Sequence, residues 1–257
     1  MTAYVLYDNV FNQAGATVTY SDEVDNSGPY AHDMLLYDRW MHGLSSGNPY
    51  IEVTLLAGYE IDTWCIFGHN LGTNGSAISL HRHDSGIFTL MDYFTPTDDK
   101  TIFRRVPSVN VISDTIFRIY ISNPSSSDQI YHIAAGKALN LKPLNVGFSP
   151  PMFEQFSATN SVNQHGVLLG RSVSKTTRDL TIKQAAITTA ELYSDYKGWL
   201  DHVVKYPFIF CWDYANYPGD SVFCWLDNTA PEPVYSNLCH LTIDMRVKAM
   251  RWDSVPE

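Results

Sequence analysis

The chain has 257 residues, a formal net charge of −10, and hydrophobic and charged fractions of 45% and 17%. Those proportions are globular, with apolar mass for one large β domain or two ordinary ones. The charge speaks against nucleic acid as a main partner, because neutralising phosphates needs clustered Lys and Arg. On the two sides of Pro143 stand eight basic against fifteen acidic residues, and nine against twelve.

Six Trp and sixteen Tyr among frequent turn residues favour β-rich structure. The opening MTAYVLYD carries no basic and apolar leader pattern, so no secretory signal is expected there. No apolar run reaches bilayer-spanning length, so no membrane span is expected.

Residues 1–48 show little periodicity. A strand-like tail at residues 16–20 is followed by the polar, turn-rich 21–29 and an apolar patch at 34–40. This reads as an extended arm leading into a β domain. The β domain, residues 49–143, is expected to be an antiparallel, jelly-roll-like sandwich. Its strands are read at 50–56, from 61 into a loop that ends at 75, and at 77–83, 101–106, 115–121 and 128–136, each short and bounded by turn signals. No stretch before Pro143 has helical periodicity. Residues 139–151 hold Pro143, Pro150 and Pro151, which disfavour a helix or central strand and mark a boundary.

Residues 144–257 read as an α+β unit. A strand pair is expected first, 166–173 with 178–183, the latter alternating polar and apolar. Leu192, Tyr196, Trp199, Leu200 and Val203 then fall on one face of a 3.6-residue period, with Asp195, Lys197, Asp201 and Lys205 between them. Thr188 three residues before Glu191 has capping-box spacing, and Pro207 stops the helix. A hairpin of 207–212 and 221–226 across the turn 217–220 follows, then a closing strand at 240–246. Strands, one helix and strands again, with no glycine-rich strand-to-helix turn, point to an antiparallel sheet rather than a Rossmann-type one.

Candidate chemistry is sparse. His81 and His83 share a face of one strand near Asp84, the geometry of a two-point metal site lacking a third ligand, or of a solvated strand end. Asp92, Asp98 and Asp99 read as calcium ligands or as a solvated turn without the EF-hand spacing. No nucleophile elbow, phosphate loop or convincing carboxylate pair is present, so neither an enzyme nor a bound cofactor is expected. Cys65, Cys211, Cys224 and Cys239 have no CxxC spacing. Cys211 and Cys224 fall on the two hairpin strands, leaving a cross-strand disulfide or buried free thiols, the latter favoured in a reducing cytoplasm. Trp212, Tyr214, Tyr217, Phe223 and Trp225 form either a sugar-stacking platform or a core and subunit interface. Arg171, Lys175 and Arg178 in the strand pair make inter-subunit ion pairs or a solvated edge. The expected oligomer-interface set is therefore Arg171, Lys175, Arg178, Trp212, Tyr214 and Trp225.

Two passages carry a family resemblance. WCIFGHNLGTNG (64–75), with FRIYI (117–121) and IAAGKAL (133–139), resembles the discoidin/galactose-binding-like sandwich of many tailed-phage structural proteins. GVLLGRSV (166–173), the helix and YPFIFCWD (206–213) resemble the second half of those virion proteins, similar to the belt domain of distal tail proteins. The resemblance implies a virion protein made in the host cytoplasm. It would close into a homo-oligomeric ring joining the tail tube to other tail, baseplate or fibre proteins. The sandwich would contact those partners or a host glycan, and glycan binding for host attachment is the competing reading. The sandwich stands first in this chain, unlike its place in better-known distal tail proteins.

Overall fold

The computed structural model describes residues 2–43, 47–55, 59–84, 86–110, 116–144, 147–151, 155–162, 164, 167–227 and 229–252. In chain order its strands are β1 (Tyr4–Leu6), β2 (Thr17–Tyr20), β3 (Trp40–Met41), β4 (Tyr50–Thr54), β5 (Glu60–His69), β6 (Ala77–Asp84), β7 (Ile87–Phe94), β8 (Ile102–Asn110) and β9 (Ile116–Ser122). Then come β10 (Gln129–Gly136), β11 (Leu139–Asn140), β12 (Gln155–Val162), β13 (Leu168–Thr176), β14 (Arg178–Ile187), β15 (Phe208–Cys211), β16 (Val222–Leu226), β17 (Val234–Tyr235) and β18 (Leu241–Met250). A single-turn helix, α1 (Leu71–Asn74), follows β5. The main helix, α2, runs through Thr189–Glu191, a π-type turn at Leu192–Tyr196, and Lys197–Val203. Every described strand pairing is antiparallel, so the protein is mainly β, a sandwich joined to an α+β unit.

The sheets stack in layers. A five-stranded sheet, β2-β4-β9-β6-β7, faces a four-stranded sheet, β3-β10-β5-β8. Their inner faces bury Ile51, Val53, Phe117 and Ile119 against Trp64, Ile66, Val106 and Ile133. The far side of the four-stranded sheet buries Cys65, Phe67, Phe103 and Ala134 against Leu6, Ile209 and Phe223 of a seven-stranded sheet and against Trp252, just past its last strand. That sheet runs β11-β1-β15-β16-β18-β14, with β17 also on β18. Helix α2 closes its other face with Tyr196, Trp199 and Val203. Lying between two layers explains why β5 is buried almost throughout while β4 and β14 alternate.

The α2 expectation holds in detail. Thr188 Oγ1 accepts the Glu191 N–H at 3.2 Å and Glu191 Oε2 accepts the Thr188 N–H at 2.8 Å, a complete capping box. Trp199 is fully buried, edge-on to Phe208 with ring centroids 5.8 Å apart. Leu192 and Leu200 pack partly buried against the same cluster.

Other expectations need correction. Residues 1–48 do not stand apart as an arm. β1 lies between β11 and β15 in the seven-stranded sheet, β2 pairs with β4, and β3 pairs with β10. The boundary stretch contributes β11, an edge strand that ends before Pro143. Among the described residues the strands near 166–173 and 178–183 do not pair with each other. β13 pairs with β12 as a separate two-stranded ribbon, while β14 pairs with β18. Cys211 and Cys224 are not cross-strand neighbours, since Cys224 stands opposite Phe208 and Cys211 opposite Tyr4. Both are buried free thiols, as is Cys65, whereas Cys239 is exposed. Burial pushes the Cys211 thiol up to about 12 and Cys224 higher still.

Candidate functional sites

The expected interface residues are dispersed. Arg171 is exposed on β13, and Lys175 belongs to the same strand, though its side chain lies outside the described residues. Arg178 opens β14 and donates to Ser149 Oγ at 2.7 Å. Trp212 is 2% exposed, stacked on Tyr217 with centroids 5.0 Å and planes 18° apart. Tyr214 is half-buried between Tyr4 and Phe103, and its hydroxyl accepts the Arg105 N–H at 3.2 Å. Trp225 is half-buried beside Phe223. The aromatic set thus serves the chain's own core and the junction between its two units, and of these rings Tyr217 is the one that reaches the surface, 42% exposed.

The basic residues lead to a different feature, the free side of β14. Among the described residues β14 has one strand partner, β18, and ends the seven-stranded sheet. Its far end is guarded. The register shifts between Gln184 and Ile187, Ala186 has a positive φ of 57°, and Lys142 Nζ donates to the Ala186 carbonyl at 2.5 Å. A bulge and a lysine on an edge are devices that deter stray pairing. The near end, residues 178–183, carries no such bulge. It borders a groove whose opposite wall is Gly147, Phe148 and Ser149, with Asp179, Leu180 and Lys183 on the strand side. Immediately before β14 stands the β12–β13 ribbon. Every ribbon position with a described side chain is exposed, and Val167 and Leu169 are 57% and 68% accessible. Two strands without a buried face are marginal by themselves in water.

A second candidate is a cleft between the sandwich and the seven-stranded sheet. It is lined by Phe94, Asp98, Lys100 and Thr101 from one unit and by Asn216 and Tyr217 from the other. The turn that presents Tyr217 is a 3-10 turn, Pro218–Asp220, seated by Asp220, which pairs with Arg251 at 3.0 Å.

The other candidates resolve into structural roles. His81 and His83 share the outer face of the five-stranded sheet. His81 lies edge-on to Tyr120 at 4.8 Å and bonds Ser79 Oγ at 3.0 Å, while His83 packs on Phe88 at 4.6 Å. Burial, then the neighbouring Arg118, hold His81 below its ordinary pKa. Arg118 is clamped over the Tyr50 and Phe88 rings, 4.0 and 3.9 Å from their centroids, and bonded to Glu52. Asp84's side chain lies outside the described residues, and among those described no three His, Cys, Asp or Glu converge on a metal position. Asp92 chelates Arg104 at 2.6 and 2.8 Å, and these bonds outweigh burial to hold its carboxyl below the usual range. Asp99 accepts from the Thr73 N–H and hydroxyl at 2.9 and 2.6 Å, stapling its loop to α1. The three carboxylates serve separate partners.

No family model and no curated protein matches the chain. Solved structures overlie about half of it. A structure described as SpGH29 has a TM-score of 0.41 and 15% identity over 51% of this chain, which spans 28% of that protein. A family 32 carbohydrate-binding module of Clostridium perfringens NanJ, in complex with galactose, has a TM-score of 0.40 and 14% identity, covering 52% of this chain and 99% of the module. An F5/8 type C domain from Bacteroides fragilis has a TM-score of 0.38 and 13% identity over 47% of this chain and 90% of that domain. Superpositions this loose decide neither the fold, which the strand pairings define, nor the function.

Proposed function

We propose that this chain is a structural assembly subunit that joins copies of itself by strand addition. The observation that carries the reading is the bulge-free edge at residues 178–183, bordered by a groove and adjoining a ribbon whose described side chains are all exposed. An incoming strand would satisfy the edge's backbone groups, and the ribbon of a second copy supplies a strand of the right length. Because edge and ribbon are different surfaces, the contact is heterologous. Such contacts close into a ring or run into a filament. A ring in the tail or baseplate of a tailed phage, linking the tube to fibre or baseplate proteins, is the setting the sequence resemblance implies, and it belongs to this proposal, as does a virion location.

The test replaces residues 155–176 by a short Gly-Ser linker. The shortened chain should keep its unfolding midpoint and elute as a monomer where the full chain associates. Undiminished association would overturn the reading.

The second reading is a glycan-binding protein used in attachment. The observation favouring it is the cleft at Tyr217, where an exposed ring and polar side chains meet.

A further inference from the structure

We infer that the cleft between residues 94–104 and 216–220 binds a neutral saccharide residue stacked on the open face of Tyr217. The inference deepens the glycan-binding reading and rests on it. Tyr217 is held from behind, its ring nearly parallel to that of the buried Trp212. One face of the ring is thus fixed and the other turned outward. A rigid, half-exposed aromatic face is the surface on which the apolar C–H side of a sugar ring lies at small entropic cost.

The rim supplies both donors and acceptors, which suits hydroxyl groups that do both. The Lys100 amine stands 4.0 Å from Asp220, a loose pairing that leaves it able to donate. The Asp98 carboxylate is exposed and accepts at Oδ1 from the Lys100 N–H at 3.2 Å, leaving Oδ2 for a ligand. Asn216 is fixed by donating through Nδ2 to Asp213 Oδ2 at 2.8 Å. At the floor Thr101 is 3% exposed, and its hydroxyl has no hydrogen-bond partner among the described residues.

The charge pattern selects the ligand class. Arg104 is spent on Asp92, and Asp220 on Arg251 and Lys100. With Asp98 added, the cleft holds no surplus of positive charge for a phosphate, sulfate or uronate group. Five of the thirteen lining residues lie outside the sandwich, more than a hundred residues further along the chain, so the site exists only when the two units are packed.

The experiment is binding of the full chain to an array of neutral oligosaccharides with sulfated and uronate-containing ones alongside. The variants are Tyr217→Ala, Tyr217→Phe and Lys100→Met. The expected result is retention of neutral glycans, lost about tenfold in Tyr217→Ala, kept in Tyr217→Phe, and reduced in the rim variant Lys100→Met, whose half-exposed side chain leaves the fold unaffected. Binding unchanged in both Tyr217→Ala and Lys100→Met would overturn this site while leaving the glycan reading intact. No retention of any glycan at millimolar concentration would overturn both. Retention of acidic glycans alone would overturn the neutral class.

Discussion

Two buried histidines should make this protein acid-labile well above the carboxylate range. His69 ends β5 with both ring nitrogens committed. Nε2–H donates to the Lys100 carbonyl at 2.7 Å, and Nδ1 accepts the Leu71 N–H at 3.2 Å. That arrangement requires the neutral ring, and protonating Nδ1 would set two donors against each other. Burial lowers its pKa to about 4. His132 lies on β10 facing the seven-stranded sheet, edge-on to Phe223 at 5.4 Å, and burial lowers it to about 3.

The unfolded chain binds both protons near pH 6.5, while the folded chain refuses them until pH 4 or 3. The contribution is therefore complete above pH 6.5, is lost progressively as pH falls to about 4 and 3, and is level below. At ~1.4 kcal/mol per unit, the two together cost ~8 kcal/mol at the acid end, comparable with the ~5–15 kcal/mol stability of a whole domain. His42 works in the opposite sense. Burial lowers it, but the Asp128 bond and charge outweigh burial and raise it, so its contribution is present below pH 6.5 and lost as pH rises through the folded value. The assay is the urea midpoint at pH 7.5, 6, 5 and 4 for the wild type and His132→Leu. The wild-type midpoint should fall steeply below pH 6, and the variant should fall less. A flat midpoint from pH 7.5 to 4, or an equal slope in His132→Leu, would refute the reasoning.

Two further substitutions test the helix and its packing. Trp199→Ala empties a fully buried site beneath α2 and should cost ~3–5 kcal/mol, read as a lowered denaturant midpoint; a loss under ~1 kcal/mol would show that the helix does not close the sheet. Thr188→Ala removes half of the capping box and should cost ~1 kcal/mol by the same measurement. No change there would mean that the cap bonds contribute nothing in solution.

Helix α2 and strand β14 were legible because a local pattern carries each of them. The apolar face of Tyr196, Trp199 and Val203 and the alternation through Leu180 and Ile182 are both visible within a dozen residues. β1 was not, because three residues are too few to show a period and its partners lie more than 130 residues away. The ribbon was misassigned for a related reason. β12 (QFSATNSV) is mostly polar and shows no apolar alternation to detect, so the sequence pairs β13 with β14, its nearest neighbour in the chain. β7 was missed because its apolar residues, among them Ile87 and Leu90, lie exposed rather than alternating. Of the aromatic residues read as either a sugar platform or a core, Trp212 and Phe223 are buried and Tyr217 is exposed, and its neighbours Asp98 and Lys100 come from a loop that only the packing of the two units brings near.

The most direct measurement of the assembly claim is amide hydrogen exchange across residues 178–183, followed as the protein concentration is raised, with native mass spectrometry at each point. Strand addition predicts that these edge amides gain protection together with the appearance of one closed oligomer. Edge amides that exchange at the same rate at every concentration, in a chain that stays monomeric, would contradict it.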